Sequence, residues 1–259
     1  MLGIVPAAGS ASRLQPLSGS KELLPLGHSG SGRLRVVSDY LVQRMLLAGA
    51  DRICLVISAD KPDLLRYWGQ LQLAARVFFL VQPQPLGLCD AVFRAAPFVE
   101  PGERVLIGLP DTVWYPELAF RFGLRDSPHL ITFPAARPEV FDAVIPAPGS
   151  CVARVEVKAP GSAQRRVWGA ITSPGRDFLA LKQLWRQRRC QDHYLGHLFN
   201  AWIAGGGQLS YDDQGTNYWD IGTPAGYERA LADQVWDAVR WSRPQAQPGE
   251  SQAEAPGAG

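Results

Sequence analysis

Five short apolar runs, at residues 2–5, 53–57, 77–81, 105–109 and 130–133, alternate with stretches patterned for helix. Each run has the length of a buried strand. The stretch 36–48 carries apolar residues at helical spacing and stops at Gly49, a residue suited to the backbone that closes a helix. A second stretch, 62–73, opens on Pro62, which fits the first helical turn. A third spans 87–96. Strands separated by helices join parallel neighbours through crossovers. The pattern predicts a mostly parallel sheet with helices on both faces.

After residue 134 the pattern changes. Residues 143–145, 152–157 and 167–172 read as strands joined by turns, and 178–189 and 194–204 as helices. Short strands are expected at 209–211 and 218–221, and a long final helix at 224–241. Residues 242–259 are rich in Pro, Gln, Glu, Ala and Gly, so a disordered tail is expected there. A single domain is expected over 1–241, with halves 1–134 and 135–241. At 259 residues and 46% hydrophobic, the chain can bury a sizeable core.

A net charge of +2, spread along the chain, gives no electrostatic footprint for nucleic acid. Arg186, Arg188 and Arg189 read as a solvated helix face. Cys54, Cys89, Cys151 and Cys190 have no CxxC spacing and read as reduced buried thiols. A strand at residue 2 leaves no signal peptide expected, and no apolar run reaches membrane-span length. The expectation is a soluble, cytoplasmic protein without membrane or nucleic-acid partners; a homo-oligomer is compatible with the sequence.

The first strand runs directly into Ala7-Ala8-Gly9-Ser10-Ala11-Ser12-Arg13-Leu14, and Lys21 follows eight residues after Arg13. Small residues let backbone N–H groups approach an anion, and two cations can neutralise it. That combination reads as a cradle for a nucleoside triphosphate. The glycine spacing fits neither the GxxxxGK[ST] loop nor the GxGxxG dinucleotide fingerprint. Asp111 stands just past the fourth strand, where ligands bind in open α/β sheets. His193 and His197 have a zinc-like spacing, but Tyr194 stands where a zincin needs Glu, and they read as structural.

The run Ala8 to Leu14, with Pro16, Lys21 and Leu24-Pro25, resembles the signature of the sugar nucleotidyltransferases, and most nearly the glucose-1-phosphate thymidylyltransferase branch. The family has a second Gly where this chain has Ala11. Gln82-Pro83-Gln84-Pro85-Leu86-Gly87-Leu88 resembles its base-recognition loop, and Trp219-Asp220-Ile221-Gly222-Thr223-Pro224 its late metal-binding motif. Glu156-Val157-Lys158-Ala159-Pro160 resembles a strand end that meets the sugar phosphate, and Val167-Trp168-Gly169-Ala170 the strand after it. Phe141-Asp142 stands where the family has Tyr-Gly around the hexose.

The resemblance implies a Rossmann-like three-layer α/β sandwich, with a mixed, mainly parallel sheet and a sugar-binding elaboration in the second half. It implies transfer of a nucleotidyl group from dTTP or UTP to a sugar 1-phosphate such as glucose 1-phosphate, with release of pyrophosphate. Arg13 and Lys21 would serve catalysis. Ala8, Gly9, Ser10, Ala11, Ser12, Gln82, Pro85, Gly87 and Asp111 would bind nucleotide. Phe141, Asp142, Glu156, Lys158 and Gly169 would bind the sugar phosphate, and Asp111 with Asp220 would hold Mg²⁺. Two rival readings are cytidylyl or guanylyl transfer on the same fold, and a non-catalytic or regulatory homologue that binds nucleotide sugars.

Overall fold

The structure, a computed structural model, describes residues 1–9, 14, 19–30, 32–73 and 75–242, without the side chains of residues 241 and 242. Ser10, Ala11, Ser12 and Arg13, and the tail from residue 243, lie outside the described residues. The first half carries β1 (Leu2–Pro6), β2 (Pro25–His28), β3 (Leu34–Val36), α1 (Val37–Leu47), β4 (Arg52–Ile57), α2 (Pro62–Gly69), β5 (Arg76–Val81) and α3 (Leu88–Phe93). It continues with β6 (Arg104–Gly108), β7 (Thr112–Tyr115), α4 (Ala119–Phe122) and β8 (His129–Pro134). The second half carries β9 (Asp142–Ala147), β10 (Cys151–Val157), β11 (Arg166–Pro174), α5 (Gly175–Gln187), α6 (Leu195–Ala204), β12 (Ser210–Asp212), β13 (Asn217–Asp220), α7 (Pro224–Ala232) and α8 (Ala238–Ser242).

Nine strands form one sheet in the order β5-β4-β1-β6-β11-β8-β12-β10-β9. The expected three layers follow from alternation along β1 and β4. Leu2, Ile4, Cys54 and Val56 pack in one core with residues of α3, α5 and α6. Val5, Ile53, Leu55 and Ile57 pack in another with residues of α1, α2 and α4. Residues at i and i+2 share a face of a strand, so each strand feeds both cores.

The sheet is mixed and mainly parallel, as expected: of its nine strands only β10 and β11 run against the others. β5, β4, β1 and β6 run parallel. β11 then pairs antiparallel with both β6 and β8, and β10 antiparallel with β9 and β12. The second half lacks a crossover helix between β9, β10 and β11; short turns join antiparallel neighbours. β11 enters between two strands of the first half, so both halves share the sheet.

Helix ends depart from expectation in two places. The helix expected over 62–73 stops at Gly69, where a Gly interior would cost helix stability. The helix expected over 224–241 is two helices, α7 and α8, parted by a turn in which Gln234 has φ +51°. Strands β2, β3 and β7 have no counterpart in the sequence reading. β7 is Thr-Val-Trp-Tyr, buried at all four positions, so it shows no polar alternation to mark it. Of the cysteines, Cys54 and Cys89 are buried as expected, but Cys190 is exposed; burial pushes the Cys54 thiol up to about 12.

The start of α2 fixes the segment that carries Lys21. Lys61, just before it, donates from Nζ to the carbonyl oxygen of Ala7 at 2.8 Å and to both carboxylate oxygens of Glu22 at 2.8 and 2.9 Å. Glu22 is 1% exposed, and its burial raises the carboxyl pKa against the opposing pull of Lys61. Two residues on, Asp63 accepts from the Ser20 N–H and hydroxyl, both at 2.7 Å. Ser20 and Glu22 flank Lys21, so α2 grips the segment on both sides of that cation. Removing one member of a buried pair strands the other charge. Lys61→Met is therefore expected to lower stability by roughly 3–5 kcal/mol, and the double variant Glu22→Gln/Lys61→Met to recover most of it. Urea denaturation of the three proteins checks this.

Candidate functional site

A cavity of about 620 Å³ opens beside the carboxyl ends of β1 and β6, the place where open α/β sheets present their loops. Ala8 and Gly9 line it just past β1, and Lys21 enters from the one-turn helix Lys21–Leu23. Asp111 follows β6 after Leu109-Pro110. The Lys21 Nζ stands 2.5 Å from Asp111 Oδ2. Asp220 comes from β13, which pairs antiparallel with β7 so that Asp220 faces Thr112. The Ile221 N–H donates to the Asp111 carbonyl at 2.9 Å. Two carboxylates far apart in sequence thereby line one wall.

The loop of residues 82–87 follows β5. Gln82 lines the cavity while only 5% exposed, with Pro85 and Gly87 beside it. The Gln82 N–H donates to the Ile57 carbonyl, which holds the loop to the end of β4. Gln82 Nε2 donates to the Gly87 carbonyl at 3.1 Å and to Asp90 Oδ2 at 2.8 Å. Gly87 has φ +97°, and a Cβ there would lie 2.8 Å from the His193 carbonyl oxygen. Glycine is therefore required on both counts. His193 also takes the Leu88 N–H on its carbonyl at 2.8 Å, and its Nδ1 lies 2.9 Å from the Leu86 carbonyl. His193 is exposed and clamps this loop through its backbone carbonyl and its imidazole. Among the described residues no cluster of three His, Cys, Asp or Glu could hold a metal ion.

Phe141, Asp142 and Lys158 face the other end of the cavity. Asp142 pairs in register with Val157, which places it beside Lys158. The Lys158 N–H donates to the Phe141 carbonyl at 3.0 Å, and its backbone takes φ +44°. This turn breaks strand alternation and brings the side chain over the cavity. The ammonium lies 4.2 Å from the centre of the Tyr194 ring, an attractive cation–π placement. Asp142 is buried and accepts from the Trp168 indole N–H at 3.3 Å. Burial pushes its carboxyl pKa up, against the Trp168 bond and the nearby Lys158 and His197. Tyr218 packs edge-on to Phe141. Its hydroxyl is pushed far up, by burial first and then by Asp220 and Asp111.

Two expected acceptor-side residues do not reach the cavity lining. Glu156 points away from the face that carries Val155 and Val157, accepting from Arg154 and Ser162 at 2.7 Å each. Gly169 is covered: a Cβ there would run into the Tyr218 ring and lie 2.8 Å from Phe133. Tyr218 and Trp168 line the cavity instead. The sequence reading did not assign Glu22, Thr112, Trp168, Tyr194 and Tyr218 to the site, yet all line it. One signal was available. Tyr218 lies two residues before Asp220 on a strand, so the two share a face.

The nucleotidyl transferase family matches residues 2–125. The sequence has no significant match among curated proteins. Solved structures share the fold at low identity. A protein described as a glucose-1-phosphate thymidylyltransferase from Bacillus anthracis, in complex with a sucrose, is 21% identical with a TM-score of 0.77, over 91% of this chain and 96% of that one. The inositol-1-phosphate CTP transferase from T. maritima is 17% identical with a TM-score of 0.73, over 93% and 97%. The UTP-bound UGPase from Acinetobacter baumannii is 19% identical with a TM-score of 0.69, over 90% and 92%. Over residues 2–125 the chain is thus similar to the nucleotidyl transferase family.

Proposed function

We propose that this chain joins a nucleoside triphosphate, dTTP or UTP, to a sugar 1-phosphate and releases pyrophosphate. The observation that carries the reading is one cavity lined by Lys21, Asp111 and Gln82 from the first half and by Asp142, Lys158 and Asp220 from the second. A single chamber with a cation at each end and a base-sized loop on one side suits two phosphate-bearing reactants. The UTP named in one structural neighbour is consistent with the nucleotide half.

In the transfer, a phosphate oxygen of the sugar 1-phosphate forms a bond to the α-phosphorus. The bond from that phosphorus to the bridging oxygen breaks, and pyrophosphate carries the electron pair away. The nucleophile is already anionic near neutral pH, so the site needs no general base. The barrier is the meeting of two anions, and positioning with charge neutralisation lowers it. Lys21 exchanges Asp111 for the triphosphate. Lys158, steadied by the Tyr194 ring, holds the acceptor phosphate. Asp142 accepts from a donor on the acceptor's ring, while Phe141, Trp168 and Tyr218 wall that end with apolar surface. Arg13 is assigned to the outer phosphates, and Ser10 to Ser12 to the same cradle, on the resemblance alone. Adjacent hard oxygen donors suit Mg²⁺, which takes one or two carboxylates with phosphates and water. Asp111 and Asp220 would hold that ion, whose charge offsets the phosphates. No helix among the described residues is long and apolar enough to cross a membrane.

The direct test supplies Mg²⁺, each nucleoside triphosphate and a panel of sugar 1-phosphates, and measures pyrophosphate. Release with UTP or dTTP is expected; silence across the panel overturns the reading. Lys21→Ala and Asp111→Asn are each expected to lower turnover by about two orders of magnitude or more. Wild-type pyrophosphate release by either variant would remove it from the machinery.

Asp142→Asn separates function from stability. It is expected to raise KM for the acceptor while raising the melting temperature at neutral pH. The folded-state pKa of Asp142 is raised by burial, so its ionisation opposes folding above that value. Below the ordinary carboxyl value of about 3.9 the group is neutral in both states. The stability gain is therefore full at neutral pH and shrinks as pH falls through the raised value. Thermal denaturation across a pH series reads it.

A further inference from the structure

We propose that Asp90 and Arg94 are positioning residues that lock the Gln82 carboxamide with Oε1 toward the cavity, so that the site selects uracil or thymine over cytosine. The inference rests on the nucleotide-binding reading of this cavity and adds to it the means of base choice.

A glutamine carboxamide presents a donor at one end and an acceptor at the other. In most sites either end can face a ligand. Here the hydrogen bonds decide. Both partners of Gln82 Nε2, the Gly87 carbonyl and Asp90 Oδ2, lie within 3.1 Å. A carbonyl oxygen can only accept, and so can a carboxylate in an ion pair. Turning the amide over would press Oε1 against two acceptors. Both Nε2 hydrogens are committed to protein, and Gln82 Oε1 accepts no hydrogen bond among the described residues. Gln82 is nearly buried yet lines the cavity, so the unpartnered oxygen is what the ligand meets.

Arg94 holds the lock from behind. Its Nε and Nη2 donate to Asp90 Oδ2 and Oδ1 at 2.8 and 3.2 Å. Its Nη1 donates to the Val81 carbonyl at 3.2 Å, immediately before Gln82. One guanidinium therefore ties the carboxylate of α3 to the strand end that carries the amide. Neither residue touches the base; both act through Gln82.

Uracil and thymine carry a ring N3–H between two carbonyls, which meets an acceptor. Cytosine has a bare N3, and an acceptor facing it leaves two lone pairs opposed. Asp90→Asn supplies a side-chain NH₂, which allows the Gln82 amide to turn and offer its donor to N3 of cytosine.

The test is calorimetric binding of UTP and CTP to the full chain, with no acceptor present. The wild-type protein is expected to bind UTP at least about tenfold tighter than CTP. Asp90→Asn and Arg94→Gln are expected to shrink that ratio, and Arg94→Lys to restore part of it. A merely structural defect would weaken both nucleotides alike and leave the ratio where it was. Equal wild-type affinities, or a ratio unmoved in both Asp90→Asn and Arg94→Gln, overturn the proposal while leaving the nucleotide site intact. Binding of neither nucleotide to the wild-type protein overturns the site reading as well.

Discussion

The ammonium of Lys61 is the fixed point on which the Lys21 side of the cavity depends. It joins three segments that sequence keeps apart: the loop leaving β1, the one-turn helix that carries Lys21, and the start of α2. Buried ion pairs add little net stability over apolar packing. The gain here is positional. Glu22 cannot move without leaving a buried charge unmatched, and Ser20 is pinned by Asp63. Lys21, between them, has its backbone set before any ligand arrives. Preorganised charge of this kind costs no rearrangement at the moment of reaction.

The Lys158 side is built on a different principle. Its residues come from antiparallel strands β9, β10 and β11 and from the β7–β13 pair, which lies outside the main sheet. Cross-strand register does what helix-to-loop contacts do on the other side. Asp142 is opposite Val157, and Asp220 opposite Thr112. A one-residue slip of either pairing would turn the carboxylate to the opposite face. The insertion of β11 between β6 and β8 makes both registers continuous with the parallel strands whose ends lead to Ala8, Gln82 and Asp111.

Much of this was readable in the residues, for physical reasons that also mark where reading stopped. The parallel strands announce themselves because both faces are buried, giving unbroken apolar runs such as Arg52–Ile57. Asp111 stands out by its place just past a strand end, which topology fixes, and Lys21 as the cation that follows a loop of small residues. β7 was missed because four buried residues after a proline carry no period. The burial of Glu22 and its pairing with Lys61 depend on a contact across many residues, and a single sequence holds no record of it. Glu156 was legible in hindsight: it alternates with Val155 and Val157, so it leaves the face they share. Tyr194 and Trp168 enter the cavity through tertiary packing that spacing alone does not encode. The orientation of the Gln82 amide is of the same kind, since Gln82 and Asp90 meet only after the loop turns at Gly87.

The contact between Lys21 and Asp111 gives the chamber a self-neutralised resting state. A bare cationic cradle would attract any stray inorganic anion. This one already has a counterion, covalently part of the protein. Under the proposed function, loading would be an ion exchange in which the polyphosphate displaces a carboxylate from an ammonium. The displaced carboxylate regains its own appetite for positive charge at that moment, beside Asp220. Under that reading the ion pair would favour ligands with several linked charges over monoanions.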